Sequence, residues 1–158
     1  LGMEQAEPDV MNKPPRDPKS SFFADRVGFN IIYQGILEGS LVLIAYLIGR
    51  QYSPETATTM AFVALGLIQL FHSFNTRSNE ESVFRLGLFS NPWLIGAFLL
   101  SALLQLSVVF LPFLNGLFRV TPLTVGQWLT VIGLSFLMIP IVEAVKWIER
   151  RIWNRKAQ

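Results

Sequence analysis

The chain lacks cysteine altogether, and charged residues are scarce for its length. Of its 158 residues, 15% are charged and 51% are hydrophobic, whereas soluble domains carry about 25% charged residues. The missing cysteines exclude disulfide bonds and thiolate metal sites, and they leave the redox compartment undefined. The formal net charge of +2 is too small to indicate a nucleic-acid partner, and the basic residues do not form an amphipathic face.

Motifs of soluble enzymes are also missing. The sequence has no phosphate-binding glycine loop ending in Lys and Ser/Thr, no His-Glu-x-x-His pair and no nucleophile elbow. We therefore expect no catalytic residue and no bound cofactor on this chain. No N-terminal signal peptide is visible either, because the first 27 residues are polar and rich in proline and acid.

Four long stretches without strong charge dominate the chain. The first, 27–49, has 23 residues with one acid, and the second, 56–76, has 21 with a single histidine. The third, 86–118, has 33 residues and the fourth, 120–142, has 23, and neither contains a charged residue. The hydrocarbon core of a bilayer requires about 20 apolar helical residues. The sequence therefore predicts an all-α fold, a four-helix transmembrane bundle of a polytopic membrane protein, with spans at roughly Phe29–Ile48, Ala57–Phe74, Pro92–Leu111 and Leu123–Trp147.

The polar segments divide this membrane region from its surroundings. Residues 1–27 form a polar, proline-rich arm, 28–151 the four spans, and 152–158 a basic tail. Eleven of the 13 Lys and Arg residues lie in the arm, in the join between the second and third spans (75–91), or in the C-terminal segment from Lys146 onward. Because positive charge accumulates on the cytoplasmic side, we expect both termini in the cytoplasm.

Glu38 is the acid inside the first span, midway between Arg26 and Arg50. A charge at the bilayer centre costs roughly 2.5–3.5 kcal/mol on insertion scales, so Glu38 should face protein or a water-filled cavity. It is either an ion or proton site or a neutral carboxyl that ties this helix to a neighbour. Gly35 and Gly39 flank it at a spacing that lets two helix backbones approach closely, and this predicts packing against another helix.

Gln69 lies inside the second span. Its amide oxygen could coordinate a hard cation, since such cations prefer oxygen ligands. The alternative is a hydrogen bond to another helix, worth about 1 kcal/mol or less. His72, a lone histidine near the predicted cytoplasmic interface, is not expected to hold a metal ion.

The last span contains Pro140, which should kink it. Glu143 and Lys146 follow at a spacing of three residues, and we expect them to form a structural ion pair near the interface.

Three segments carry a resemblance to a known family. The arm, Leu1-Gly-Met-Glu-Gln-Ala-Glu-Pro-Asp-Val-Met followed by Asn12-Lys-Pro-Pro-Arg-Asp-Pro-Lys, resembles the loop after the sixth membrane helix of P-type calcium-transporting ATPases. Thr59-Met-Ala with Gln69 and Asn75 resembles their eighth helix. Gln127-Trp-Leu through Glu143-Ala-Val-Lys resembles their tenth. The resemblance extends from Leu1 to about Arg151, and the chain begins Leu-Gly, so we expect a longer parent protein.

The resemblance implies that this chain is the C-terminal support domain, helices seven to ten, of a bacterial-type calcium pump. Such a translocase would use ATP and Mg²⁺ and transport Ca²⁺ through an aspartyl-phosphate intermediate. The fragment alone should neither hydrolyse ATP nor transport ions. Its partners would be the remaining helices and cytoplasmic domains of the parent, the lipid bilayer and the calcium ion, in a bacterial plasma membrane. An isolated fragment should oligomerise or trap lipid and detergent. The alternative is an unrelated four-span membrane scaffold or transporter subunit.

The same resemblance implies roles for individual residues. Gln69 matches a position where two-calcium pumps offer a glutamate ligand, and so marks a degenerate calcium site. Glu38 matches no ligand, and we expect it to pack towards the parent's fifth helix through Gly35 and Gly39. Four residues of the arm match positions that couple ion occupancy to the phosphorylation domain: Glu7, Asp9, Lys13 and Arg16.

Overall fold

Helices form all the regular structure that the computed structural model describes, which covers residues 26–77, 87 and 90–156. In chain order they are α1 (Arg26–Gly49), α2 (Pro54–Asn75), α3 (Pro92–Phe110), α4 (Pro112–Phe118), α5 (Val125–Phe136) and α6 (Met138–Lys156). The predicted all-α fold is confirmed. The predicted coupling residues of the arm lie outside the described residues: Glu7, Asp9, Lys13 and Arg16.

Four helical segments are long and apolar enough to cross a membrane. They contain 23, 22, 19 and 25 residues: Val27–Gly49, Pro54–Asn75, Pro92–Phe110 and Val125–Glu149. The last comprises α5 and most of α6. These segments coincide with the four predicted spans and differ from them by a few residues at their ends. The bundle therefore has the dimensions of a multi-pass membrane protein.

Side-chain caps fix where three of the helices begin. Ser53 precedes α2 and its hydroxyl accepts a hydrogen bond from the first turn, in which Pro54 takes a position that proline favours. Asn91 accepts two such bonds at the start of α3. Thr124 and Gln127 form a reciprocal capping box at the start of α5. A cap of this kind contributes about 0.5–2 kcal/mol, so the helix boundaries are encoded locally.

Pro140 interrupts the fourth span. Proline has no backbone N–H and its ring clashes with the carbonyl four residues earlier, which here belongs to Phe136. Leu137 separates α5 from α6, although its backbone keeps right-handed helical angles, with φ of −57° and ψ of −22°. The span is thus divided three residues before the proline, and the kink itself stays a prediction.

α4 is a short helix that the sequence did not predict. Pro112 directly follows the predicted end of the third span at Leu111 and occupies the first turn of α4, a position that proline's fixed φ angle favours. α4 ends at Arg119, which adopts a left-handed conformation with φ of 53°.

α2 lies at the centre of the bundle and supplies the largest share of its core. Its buried side chains include Met60, Val63, Ala64 and Ile68. They pack with residues of the other spans: Leu41 and Ala45 of α1, Val109 of α3, Val131 of α5, and Met138 and Val142 of α6. Because lipid tails are as apolar as leucine, such a core is held by close packing rather than by removal from water.

α3 contacts the bundle through a few specific groups. The Phe98 ring packs against those of Phe71 and Phe74 of α2, with centroids 5.9 and 5.3 Å apart. The Gln105 amide donates to the carbonyl of Phe62 over 3.4 Å. A Cβ atom on Gly66 would lie 2.7 Å from the Gln105 side chain, so this glycine makes room for the glutamine.

The outer surface of the bundle is apolar. Ile32 and Ile36 of α1 are 65% and 66% exposed, and Leu103 of α3 is 64% exposed. A soluble monomer rarely exposes contiguous apolar surface on this scale. The outward faces of these helices therefore fit a lipid or protein environment rather than water.

Candidate functional site

A polar cluster lies between α1 and α2 and consists of Glu38, Gln69 and His72; we name it the Glu38 cluster. Gln69 and His72 are three residues apart, so both side chains stand on one face of α2. The Gln69 Nε2 atom donates a hydrogen bond to Glu38 Oε2 over 3.0 Å. The His72 Nε2 atom lies 3.9 Å from Glu38 Oε1. Each carboxylate oxygen therefore faces a different side chain of α2.

The register of the helix hairpin brings these residues together. A Cβ atom on Gly49 would lie 2.6 Å from the Ala57 Cα atom, so the two helices meet closely at that point. Glu38 lies eleven residues before Gly49 and Gln69 twelve after Ala57. In an antiparallel pair joined by a short loop, they stand at the same depth.

The Glu38 cluster extends from the helix interface to the surface of the bundle. The side chains of Glu38 and His72 are 17% and 13% exposed, whereas Gln69 is an exposed residue. The Nδ1 atom of His72 is buried and has no hydrogen-bond partner in the part of the chain that the structure describes. A polar cluster at this depth is costly, and this cost makes it the strongest candidate for a functional site.

The Glu38 contact differs from the expectation that this residue packs towards the parent's fifth helix. Within this chain it faces α2. Gly35 and Gly39 are exposed, and a Cβ atom on either would meet no atom of another described helix within 4 Å. Successive helical residues are about 100° apart around the axis, so Glu38 and Gly39 point in different directions. The packing of the two glycines against another helix stays a prediction.

A second polar group joins the end of α2 to α6. The Lys146 Nζ atom donates to the backbone carbonyl of Asn75 over 2.8 Å, and the Asn75 side chain donates to the carbonyl of Met138 over 3.3 Å. Lys146 is only 4% exposed. The expected pairing with Glu143 is present, with 3.9 Å between the charged atoms. Sequence reasoning missed the carbonyl partner, because backbone groups give no sequence signal.

The ligands in this chain do not complete a cation shell. Among the described residues, no group of three or more His, Cys, Asp or Glu side chains is arranged to hold a metal ion. The Glu38 cluster offers one carboxylate, one amide and one imidazole. A calcium ion takes 6–8 oxygen ligands, so a cation bound beside Gln69 would need most of its ligands from outside this chain.

Four apolar spans with one polar cluster at a helix interface define the chain as a segment of a multi-pass membrane protein. Residues 1–148 match the family described as Cation transporting ATPase, C-terminus, and the chain belongs to this family. The family assignment made from the arm and the helix motifs is thereby confirmed.

Relatives of the chain are found in bacteria and in animals. It is 44% identical over 138 residues to the calcium-transporting ATPase of Bacillus subtilis, which covers 85% of this chain and 15% of the relative. A calcium-transporting ATPase of Listeria monocytogenes is 37% identical over 156 residues, which are 98% of this chain and 18% of the relative. Human calcium-transporting ATPase type 2C member 1 is 30% identical over 152 residues, which are 95% of this chain and 16% of the relative. The chain thus spans less than a fifth of the length of these relatives, and it corresponds to their membrane-embedded C-terminal part.

Proposed function

We propose that the chain is the C-terminal membrane block of a P-type ATPase that transports calcium. The observation that carries this proposal is the family match over residues 1–148, together with relatives from several organisms named calcium-transporting ATPases. The parent enzyme would hydrolyse ATP with Mg²⁺ through an aspartyl phosphate and move Ca²⁺. ATP hydrolysis would take place on the parent's cytoplasmic domains, because this chain carries no motif for it.

The block's role in the pump would be to support the helices that move during transport. Its spans contain few ionisable groups, and its core is densely packed around α2. The contacts of Lys146 and Asn75 fix α2 to α6 at one end. This arrangement suits a static support rather than a pathway for ions.

Gln69 would be the contact between the block and the transported ion. Its exposed amide reaches the surface of the bundle, where helices of the parent could supply further ligands. An amide oxygen carries no net charge, so this position attracts a divalent ion less strongly than a carboxylate would. We expect a degenerate calcium site here and one calcium ion per transport cycle.

The distribution of Lys and Arg supports a topology with both termini in the cytoplasm. Its relatives from Bacillus and Listeria support a bacterial plasma membrane as the location. In this topology the loop at Tyr52 faces the outside and Thr76 faces the cytoplasm. Cysteines introduced at these two positions should react with a membrane-impermeant maleimide in intact cells at Tyr52 alone. Labelling of the cysteine at position 76 and not of the one at position 52 would show that the topology is the reverse of the proposed one.

The partners of the block would be the other membrane helices and the cytoplasmic domains of the pump, with lipid around them. One of the parent's helices would pack on the exposed strip of α1 formed by Gly35 and Gly39. An isolated fragment would leave this strip and its apolar neighbours uncovered, and it should self-associate in detergent. The arm would contact the phosphorylation domain through four residues: Glu7, Asp9, Lys13 and Arg16.

The decisive experiment is phosphorylation of the full-length parent by ATP as a function of calcium concentration. We expect a calcium-dependent phosphoenzyme with one calcium ion bound per phosphorylation site. Changing Gln69 to Glu should lower the calcium concentration needed for half-maximal phosphorylation. Calcium-independent phosphorylation would reject calcium as the transported ion, and two calcium ions per site would reject the degenerate site.

A further inference from the structure

The side-chain amide of Gln69 has two ends of opposite chemistry. Its NH₂ group only donates hydrogen bonds, whereas its carbonyl oxygen accepts them and can coordinate cations. Rotation about the last side-chain bond exchanges the two ends. Gln69 can therefore serve as a cation ligand only if its surroundings determine which end faces the ion.

Glu38 makes this selection. The Gln69 Nε2 atom lies 3.0 Å from Glu38 Oε2, and in its ionised form Glu38 has no proton to donate and accepts only from the NH₂ end. The carbonyl oxygen of Gln69 is thereby turned away from Glu38. Within the described residues it has no hydrogen bond, and Gln69 itself is exposed. The amide thus presents its oxygen to the side of the bundle where a partner helix or an ion would lie.

The carboxylate of Glu38 is itself held in place. Its other oxygen, Oε1, lies 3.9 Å from the Nε2 atom of His72, one turn along the same face of α2. The side chains of Glu38 and His72 are both largely buried, at 17% and 13% exposure, which restricts their rotation.

We propose that Glu38 is a positioning residue that turns the carbonyl oxygen of Gln69 towards a hard divalent cation. This inference rests on the proposed role of Gln69. It adds a contribution from α1, whose carboxylate acts on the ion through its neighbour on α2. The geometry that carries it is the pairing of one carboxylate with two side chains of α2.

The test compares the full-length pump with its Glu38→Gln variant, using ATP hydrolysis titrated with Ca²⁺. The variant can still form a hydrogen bond to Gln69, but its own amide offers either a donor or an acceptor, so the orientation of Gln69 is no longer selected. Removing a partner that orients a ligand costs about 10–100-fold in metal affinity. We expect the half-maximal calcium concentration to rise by about tenfold or more, with the rate at saturating calcium unchanged.

Two double variants distinguish positioning from packing. In Glu38→Gln combined with Gln69→Glu, the carboxylate and the amide exchange helices, and we expect the calcium affinity to return to that of the wild type or better. Glu38→Gln combined with Gln69→Ala should be no weaker than Gln69→Ala alone, because Glu38 acts through Gln69. The proposal would be overturned if the losses of calcium affinity in Glu38→Gln and Gln69→Ala were additive. It would also be overturned if the variant with Glu38→Gln and Gln69→Glu bound calcium as weakly as Glu38→Gln alone.

Gln34→Leu serves as the matched control. Gln34 lies one turn before Glu38 on α1 and donates to the Tyr33 hydroxyl over 3.0 Å, so its removal should leave the calcium affinity unchanged. A wild-type pump that calcium does not activate would reject the proposed function and this inference together. Calcium activation of the wild type with an unaltered affinity in Glu38→Gln would reject the positioning role alone.

Discussion

The ammonium group of Lys146 and the backbone carbonyl of Asn75 are joined by a 2.8 Å hydrogen bond, although the residues lie 71 positions apart. The Asn75 side chain returns a second bond to α6, at the carbonyl of Met138. The carbonyl of Asn75 belongs to the last turn of α2, where backbone acceptors lack helical partners. A positive charge there also interacts favourably with the helix dipole. The two bonds therefore hold the end of α2 against α6.

Replacing Lys146 with Met should destabilise the pump without blocking its chemistry. The variant keeps the long apolar stem but removes the donor to Asn75, and a hydrogen bond to a charged group is worth about 1.5–3 kcal/mol. We expect a lower midpoint of thermal unfolding in detergent. Arg151→Met is the control on the same helix, because Arg151 is exposed and only stacks on Trp147, 4.0 Å from its ring centre. Equal midpoints for the two variants would contradict the role of Lys146.

Changing Thr59 to Val should loosen the link between α2 and the loop that precedes α5. The buried Thr59 hydroxyl accepts a 2.9 Å hydrogen bond from the backbone N–H of Thr121. Valine has nearly the same shape, so the main effect is an unsatisfied N–H, which costs about 1–3 kcal/mol. The neighbouring Thr58→Val is the control, since Thr58 is exposed and bonds only within α2. The midpoint of thermal unfolding should fall for Thr59→Val and not for Thr58→Val. An equal fall for Thr58→Val would refute this account.

Gly49→Ala should push α1 and α2 apart. The added Cβ atom would lie 2.6 Å from the backbone of Ala57, and a backbone atom cannot give way as a flexible side chain can. Overpacking of this kind typically costs 1–3 kcal/mol, which should exceed the gain of about 1 kcal/mol from replacing a helical glycine. The control is Gly96→Ala on α3, where the new atom meets no atom of a neighbouring helix within 4 Å in the described part of the chain. A pump whose unfolding midpoint is unaffected by Gly49→Ala would disprove the close contact.

Pro140→Ala should straighten the fourth span. Alanine restores the N–H that can bond to the carbonyl of Phe136, so α5 and α6 can join through Leu137. Spin labels on cysteines introduced at Val125 and Ile148, both exposed, would report the end-to-end distance by pulsed electron paramagnetic resonance. We expect a longer distance in the variant than in the wild-type background. An identical distance would mean that tertiary contacts, and not the proline, impose the break.

The helices were predictable because their signals are local. Hydrophobic run length located the four spans, and Pro140 marked the region where α5 and α6 are divided. α4 was missed, because seven residues after a proline carry little periodicity. Its position at the end of α3 depends on the tertiary structure.

The candidate site was only partly predictable. Glu38 and Gln69 each stood out as polar residues inside apolar spans, but their contact depends on the register of α1 against α2. That register is set at Gly49 and Ala57, at the opposite end of the hairpin. The role of Gln69 in binding a cation stays a prediction.

Substitutions at Gly35 and Gly39 should affect folding of the block and its assembly with other helices differently. Because a methyl group at either position meets no atom of the other helices that the structure describes, alanine there should leave folding of the four spans unharmed. The same substitution would obstruct any helix that docks on this strip. A screen that scores only expression of the block would therefore pass variants that fail during assembly of the complete enzyme.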